Sequence, residues 1–414
     1  MPNSIVTNKL TDLVALRFLV ASGFVQVGAS QHFKDQMVGK RNGQTYSFVI
    51  RDAVDVGEGT SLDNENEKQT IVERSIDMSL RDFHAAVNTQ AIEAVTDLNW
   101  DKEVAEPNGG KIANYVVRKA VAEAFPRANT CIVGEGFQPM AEVAAHLSSI
   151  SNEKMYGFVD PKAQAILTSN GQEFDPPGVP DSFYGQGMLG KFHNVEYRGQ
   201  RFMPVITVPD GITGMTVTSL AGDNNSSHDY DAVLTVACTA VSGAKVIKAG
   251  TPFFIEGAKA CDLIGDATAE DFAFIAAADI SLENSASSIA IPLKTGKKNT
   301  IPTLDKGGTR EIAKDDNTSF ENASALAGLA VTMPAAGKYA CGQVRLDGTY
   351  EFCTLDKLDA SNAESKIGAV EGVKVHENRV VNLDNMTSKT RWDIVAMFGV
   401  IEGRGTSNFM IKIA

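Results

Sequence analysis

Two strand-like stretches decide the organisation of this chain: TYSFVI at residues 45–50 and VERSIDMSL at residues 72–80. Both are rich in residues that favour strands, and in the second the apolar residues alternate with polar ones. Asn42 and Gly43, a typical turn pair, precede the first stretch. The two stretches therefore predict paired strands that are joined by one long connection, residues 51–71.

This connection has no apolar pattern of its own, and it carries six acidic residues: Asp52, Asp55, Glu58, Asp63, Glu65 and Glu67. Fixing a segment of about 20 residues costs on the order of 20–40 kcal/mol, at 1–2 kcal/mol per residue. Nothing within the connection offsets a cost of that size. We therefore expect it to be mobile unless the surface of a partner orders it.

Helical patterns lie on both sides of this strand pair. In the first 30 residues apolar side chains recur at spacings near 3.6, at Leu10, Leu13, Leu16 (beside Arg17) and Val20. A lone helix of this length is marginal in water, so it must dock on another surface. Helical signals also dominate residues 89–150. There KIANYVVRKAVAEAF at 111–125 predicts a helix after the breaker run 107–110, and Pro139 opens another.

The pattern changes near Pro209, after which short strand-like stretches alternate with turns as far as Ala325. The predicted strands are residues 215–219, 232–240, 252–256, 272–278 and 287–293, with a polar loop at 223–229 and a basic turn at 294–298. This spacing indicates a small barrel or sandwich. Mixed signals follow, and WDIVAMFGVI at 392–401 predicts a central strand. The β-rich block is therefore expected to be inserted into an α+β domain.

Composition narrows the class of protein. Hydrophobic residues make up 43% and charged residues 21%, as in ordinary globular chains, and the formal net charge of −13 opposes tight binding to a phosphate backbone. The apolar stretch 18–27 predicts part of a helix rather than a secretory signal, because Asp12 interrupts the basic region before it. The five cysteines form no C-x-x-C pair and are expected to be reduced, which favours the cytoplasm: Cys131, Cys238, Cys261, Cys341 and Cys353.

No motif for catalysis or cofactor binding has the surrounding sequence that its function requires. GQGMLG at residues 185–190 has the letters of a dinucleotide fingerprint, but prolines precede it and no helix pattern follows, so it predicts a loop. No Gly-Lys pair is followed by Ser or Thr, so the phosphate-binding P-loop motif is absent. The histidines do not have the spacing of zinc ligands, and His146 is expected to lie at the surface or to be partly satisfied by hydrogen bonds. We therefore predict no catalytic, cofactor-binding or metal site.

Taken in order, these stretches resemble the Hong Kong 97-type major capsid proteins of tailed phages. Within that family they are most similar to the coat protein of the short-tailed Salmonella phages, which has a β-barrel inserted in its axial domain. The similar stretches are residues 44–50, 76–80, 111–125, 158–161, 211–213, 232–257 and 391–400. Residues 107–110 depart from the family pattern because they interrupt the long spine helix. The polar loop 223–229 is shorter than its counterpart.

The resemblance implies an α+β fold of the Hong Kong 97 type with an inserted small β-barrel or Ig-like domain. The implied domains are an N-terminal arm (1–36), a strand pair (37–82) with its extended loop (51–71), the spine helix and peripheral domain (83–130), the axial domain in two parts (131–209 and 326–380), the inserted domain (210–325) and a C-terminal return to the peripheral domain (381–414).

It also implies a structural role without enzymatic activity. Many copies, as hexamers and pentamers, would form an icosahedral virion shell through a scaffolded procapsid in the bacterial cytoplasm. The partners would be a scaffolding protein, a portal protein and packaged double-stranded DNA in weak non-specific proximity, with no cofactor and no membrane. The six acids of the extended loop, together with Asp223 and Asp229, are candidate subunit contacts, and Asp12 is a candidate scaffold contact.

Two other functions remain open at this point. An encapsulin-like nanocompartment shares the fold but encloses enzymes, and the inserted domain argues against it. A hydrolase with a β-rich binding module would use acids near Asp52 or Glu65 as paired carboxylates, but no aromatic platform accompanies them.

Overall fold

The computed structural model describes residues 4–37, 44–51, 73–90, 104, 106–163, 165, 188–304, 309–355, 364–370, 372–382 and 387–413. Within these residues the helices are α1 (Ser4–Ala21), α2 (Gly23–Gln26), α3 (Lys34–Met37), α4 (Glu106–Ala124) and α5 (Gln138–Ile150). The fold is mixed α/β with mostly strands. The chain divides into two compact units: residues 1–46, 78–121 and 350–399 form the first unit, and residues 47–77, 122–349 and 400–414 form the second.

The strands, numbered in chain order, are β1 (Ala29–Ser30), β2 (Thr45–Arg51), β3 (Glu73–Ser79), β4 (Arg81–Gln90), β5 (Thr130–Gly134), β6 (Met155–Val159), β7 (Met188–Phe192), β8 (Val195–Gly199), β9 (Val205–Val208), β10 (Thr216–Gly222), β11 (Ala232–Ala237), β12 (Lys245–Ile247), β13 (Pro252–Cys261), β14 (Ala267–Ile275), β15 (Ile280–Leu282), β16 (Ser288–Leu293), β17 (Ile312–Lys314), β18 (Val331–Thr332), β19 (Gly337–Leu346), β20 (Tyr350–Leu355), β21 (Glu364–Val370), β22 (Val373–Asn382), β23 (Thr387–Val400) and β24 (Thr406–Lys412).

The first unit is built on one sheet with the order β1-β20-β23-β22-β21, in which β4 also pairs with β23. The predicted central strand at 392–401 is confirmed as β23, and Trp392 and Met397 are fully buried in it. The sequence analysis did not predict β4. Its last residues, Thr89 and Gln90, lie in the region assigned to helices, but they pair with Ser388 and Thr387 of β23.

Helix α1 packs on strands β21 and β22 of its own chain. Its buried side chains include Val14 and Phe18, and the ring of Phe18 stacks on that of Phe352 at 6.4 Å. The predicted helix is confirmed, but its predicted apolar face is wrong, because Leu16 is 46% and Val20 66% exposed. Docking selects the other face, where the buried Thr11 hydroxyl donates a hydrogen bond to Glu377.

Helix α4 begins at Glu106, so the prediction that residues 107–110 interrupt it is wrong. Pro107 lies in the first turn, where its missing N–H costs nothing. Gly109 lies close to α1, since a Cβ atom there would be 2.8 Å from the carbonyl oxygen of Val14. The helix ends at Ala124, before Pro126, as predicted.

The second unit contains a mixed sheet with the order β5-β24-β19-β6-β8-β7, and β9 also pairs with β19. Helix α5 packs on this sheet, with Met140, Val143 and Leu147 fully buried, and Pro139 lies in its first turn as predicted. His146 is also buried, against expectation, and burial lowers its pKa to about 4. The fingerprint-like motif was expected to be a loop, but its residues from Met188 onward form β7.

Strands β10 to β18 surround a separate apolar core drawn from residues 212–331. They form three sheets, β10-β11-β16, β12-β15 and β14-β13-β17 with β18 on β13, and every strand predicted in this block is present. The strands that flank the block pair with each other, from Val205 with Ala340 to Val208 with Gly337. The chain therefore leaves the mixed sheet after β9 and returns to it in β19.

Candidate assembly surfaces

Strands β2 and β3 form a two-stranded ribbon, as the sequence predicts. The side chains of Phe48 and Ile76 are buried, whereas Val49 is 53% exposed. The Ser47 hydroxyl donates a hydrogen bond to the Asp77 carboxylate across the ribbon. The segment between the two strands carries the candidate contacts Asp52, Asp55, Glu58, Asp63, Glu65 and Glu67, all of which lie outside the described residues.

Strand β3 of this ribbon is fastened to two other parts of the second unit. The backbone N–H of Asp77 donates to the carbonyl of Gly296 at 2.8 Å, and Lys297 donates to the hydroxyl of Ser75. On the other side Arg74 forms an ion pair with Glu402. The basic turn at 294–298 and the turn at 402–404 therefore hold β3 through Arg74, Ser75 and Asp77, in the part of the strand that follows residues 52–72 in the chain.

Glu402 is the centre of this attachment, because it also accepts hydrogen bonds from Arg404 Nε at 3.0 Å and Nη2 at 2.9 Å. Burial by itself favours the protonated acid, but the positive charges of Arg74 and Arg404 outweigh it and lower the pKa of Glu402 to about 2. The carboxylate is thus ionised at neutral pH between two arginines. We call Arg74, Glu402 and Arg404 the ribbon clamp.

The two candidate contacts in the polar loop have different roles. The Asp223 carboxylate accepts hydrogen bonds from the backbone N–H of Asn225 at 3.1 Å and from His228 Nδ1 at 2.7 Å, so it holds the loop together. Asp229 is exposed, and its ion pair with Lys294 spans 3.4 Å. Of the two, Asp229 is the one that is available to a partner.

The N-terminal segment is held by two buried carboxylates of the first-unit sheet. Glu377 accepts a hydrogen bond from Thr11, and Glu351 accepts hydrogen bonds from the Ser30 hydroxyl and from the backbone N–H groups of His32 and Phe33. Burial raises the pKa of Glu351, while these hydrogen bonds act in the opposite direction. The scaffold-contact candidate Asp12 is exposed on α1 and lies beside Gly368. Leu16 and Val20, one helical turn apart, are the exposed apolar pair that the sequence analysis assigned to the packed face.

Among the described residues, one group of metal-binding side chains comes together: Asp82, His84 and Asp393. Arg391 lies between its carboxylates, 2.6 Å from Asp393 and 3.4 Å from Asp82, and Asn378 donates to Asp393 at 2.9 Å. Arg391 thus compensates the acidic charge of this group within the first unit.

All five cysteines are free thiols, and four of them are buried. Burial raises the pKa of the Cys261 thiol to about 11 and that of Cys353 to about 12, so neither is an activated nucleophile. In the part of the chain that the structure describes, no helix has both the length and the apolar composition needed to cross a bilayer.

Comparisons with known proteins give only distant matches. No protein-family model matches this sequence, and a search of curated proteins finds no significant match. Three solved structures similar to this chain come from phages. A structure from Mycobacterium phage Che8 is 8% identical over 92% of this chain and 89% of its own, with a TM-score of 0.43. The Ralstonia phage GP4 capsid is 6% identical over 90% and 85%, with a TM-score of 0.42. The cyanophage P-SCSP1u capsid is 10% identical over 90% and 85%, with a TM-score of 0.41. This similarity is loose, so no residue of this chain takes a role from it.

Proposed function

We propose that this chain is the major capsid protein of a tailed phage, which assembles into an icosahedral shell around packaged double-stranded DNA. The observation that carries the proposal is a two-stranded ribbon that is clamped through Arg74 of β3 and carries the long acidic segment between its strands. A two-stranded ribbon is marginal by itself in water. Its clamp supplies a rigid support, and the segment 52–72 requires a partner surface to offset the entropy cost of ordering.

A neighbouring copy of the same chain is the partner that the proposal assigns to this segment. An obligate contact typically buries roughly 2,000–5,000 Å², and each Å² of apolar surface in it contributes about 25 cal/mol towards the cost of ordering the segment. The six acids of the segment would bind basic side chains of the neighbour, and Asp229 would add a contact from the inserted domain at residues 210–325.

The N-terminal arm differs from the acidic segment in how it is ordered. Its helix α1 packs on the sheet of its own chain, so neighbours are not required to order it. Its exposed pair Leu16 and Val20, however, is an apolar surface that an adjacent subunit could cover. Asp12 on the same helix remains the proposed contact for a scaffolding protein.

The remaining parts of the proposal follow from the resemblance in sequence. They are hexamers and pentamers as building units, scaffolded assembly in the bacterial cytoplasm, a portal protein, and DNA held without a specific site. The net charge of −13 is compatible with the last point, because an acidic lining does not bind DNA tightly. Charges further apart than about 8 Å are screened at physiological salt, so this net charge does not prevent assembly.

Deletion of residues 57–67 tests the role of the acidic segment. We expect the melting temperature of the isolated subunit to stay nearly unchanged and shell formation to be lost. A control variant keeps the length of the segment and replaces its acids by amides, which separates charge from reach. If the deletion unfolds the subunit, the segment is internal structure and the proposal fails. Shells that enclose protein instead of DNA would favour the encapsulin-like alternative.

A further inference from the structure

Arg127 and Asn129 place two unsatisfied hydrogen-bond donors in the interior of the second unit. Arg127 closes the 3-10 turn Phe125–Arg127, and its side chain is 7% exposed, while Asn129 is 3% exposed. Neither Nε of Arg127 nor Nδ2 of Asn129 has an acceptor among the described residues. Buried donors are nearly always paired in folded proteins, so this pair of side chains indicates a ligand that accepts hydrogen bonds.

The nearest acid does not fill this role. Oε1 of Glu311 lies 4.0 Å from Nη1 of Arg127, which is too far for a hydrogen bond, and its other oxygen accepts from the backbone N–H of Thr303 at 3.1 Å. Burial lowers the pKa of Arg127, and Arg74 lowers it further, whereas Glu311 and Asp231 raise it. Asp231 is itself engaged by the backbone N–H groups of Thr295 and Gly296.

Space for a ligand exists beside these two residues. Arg127 and Asn129 line a small cavity of about 20 Å³, with Lys294 and Glu311 also in its wall. A volume of this size holds a single species as large as a water molecule or a small monatomic ion. Lys294 of the wall is paired with Asp229, so Arg127 is the cation that makes the cavity suitable for a negative charge.

The wider surroundings have the same sign. Four buried or largely buried arginines face three acids in this part of the second unit: Arg74, Arg127, Arg310 and Arg404 against Asp231, Glu311 and Glu402. The guanidinium of Arg310 is held by oxygen atoms of Gly265, Asn317 and Ser319, and no carboxylate among the described residues compensates it.

We propose that a monovalent anion of the size of chloride binds between Arg127 and Asn129 and stabilises the second unit. The anion accepts hydrogen bonds from Nε of Arg127 and Nδ2 of Asn129 and reduces the repulsion between Arg127 and Arg74. Because Arg74 belongs to the ribbon clamp, the ion also supports the attachment of β3. The proposal does not depend on the assembly function.

Thermal unfolding of the full chain in chloride and in gluconate, at equal ionic strength, tests the site. We expect the melting temperature to rise by about 2–4 °C when chloride replaces gluconate, since a ligand that binds only the folded state stabilises it by mass action. Arg127→Met and Asn129→Ala should abolish this dependence. The matched control Arg198→Met changes a half-exposed arginine on β8 that pairs with Glu196 and should keep it.

Bromide provides a second readout that does not depend on any variant. In crystals of the wild-type chain grown with bromide, an anomalous peak should lie within hydrogen-bond distance of Nε of Arg127. Equal melting temperatures in chloride and gluconate, or a water molecule without anomalous signal in the bromide crystals, would overturn the proposal. If Arg127→Met fails to fold, the wild-type comparison and the bromide crystals still decide.

Discussion

The ribbon clamp makes a quantitative prediction for Glu402→Gln. This variant keeps the shape of the side chain but leaves Arg74 and Arg404 facing each other without the carboxylate between them. The fall in the pKa of Glu402 from 4.5 to about 2, at 1.36 kcal/mol for each pKa unit, corresponds to about 3 kcal/mol of stability at neutral pH. Loss of one partner from a buried ion pair typically costs about 3–5 kcal/mol, which agrees with this value.

The same reasoning fixes the pH dependence. Because the pKa of Glu402 is lower in the folded chain than in the unfolded chain, the carboxylate contributes its full stability above about pH 4.5 and loses it as the pH falls towards about 2. The Gln variant has no proton to gain in this range. The difference in unfolding free energy between the two proteins should therefore be largest at pH 7 and should decrease below pH 4.5.

Urea unfolding followed by circular dichroism at pH 7, 4 and 3 measures this difference. Hydrogen exchange of peptides that cover residues 73–77 and 400–406 shows whether the loss is localised at the clamp. The control Glu196→Gln removes a carboxylate from a more exposed pair with Arg198 and should cost less than about 1 kcal/mol. A cost below about 1 kcal/mol for Glu402→Gln at pH 7, or an equal cost at pH 7 and pH 3, would refute the clamp.

Two further predictions concern the packing of α1 and the thiols. A Cβ atom at Gly368 would lie 2.9–3.0 Å from backbone atoms of Thr11 and Asp12, so Gly368→Val should displace α1 and increase tryptic cleavage at Arg17 about tenfold. The control Ala369→Val, on the exposed side of β21, should leave the cleavage rate unchanged. Equal cleavage of both variants would contradict this docking of α1. Alkylation of the native chain, measured by mass spectrometry, should label only the partly exposed Cys238 within minutes, and rapid labelling of Cys131 or Cys341 would show that they are accessible.

Elements with strong local patterns could be predicted from the sequence. The alternation in residues 72–80 identifies β3, the apolar run at 392–401 identifies β23, and the turn signals after Pro209 identify the strands of the β-rich block. The flanking strands β9 and β19 pair with each other. In each case the local preference and the tertiary contacts favour the same structure.

Where tertiary contacts decided the structure, the sequence was a poor guide. The stripe Leu16 and Val20 has helical spacing, but the sheet selects the neighbouring face because Thr11 reaches Glu377 and Phe18 stacks on Phe352. Pro107 signals a break in isolation but fits the first turn of α4. The ribbon clamp joins Arg74 to a residue 328 positions away, and no local pattern indicates such a pair.

Electron microscopy of the full chain, expressed with its scaffolding protein, tests the proposed function most directly. The account predicts closed icosahedral shells some tens of nanometres across, in which residues 52–72 contact an adjacent copy and β3 is held by the ribbon clamp. Particles no larger than monomers or dimers under every condition of expression would contradict it.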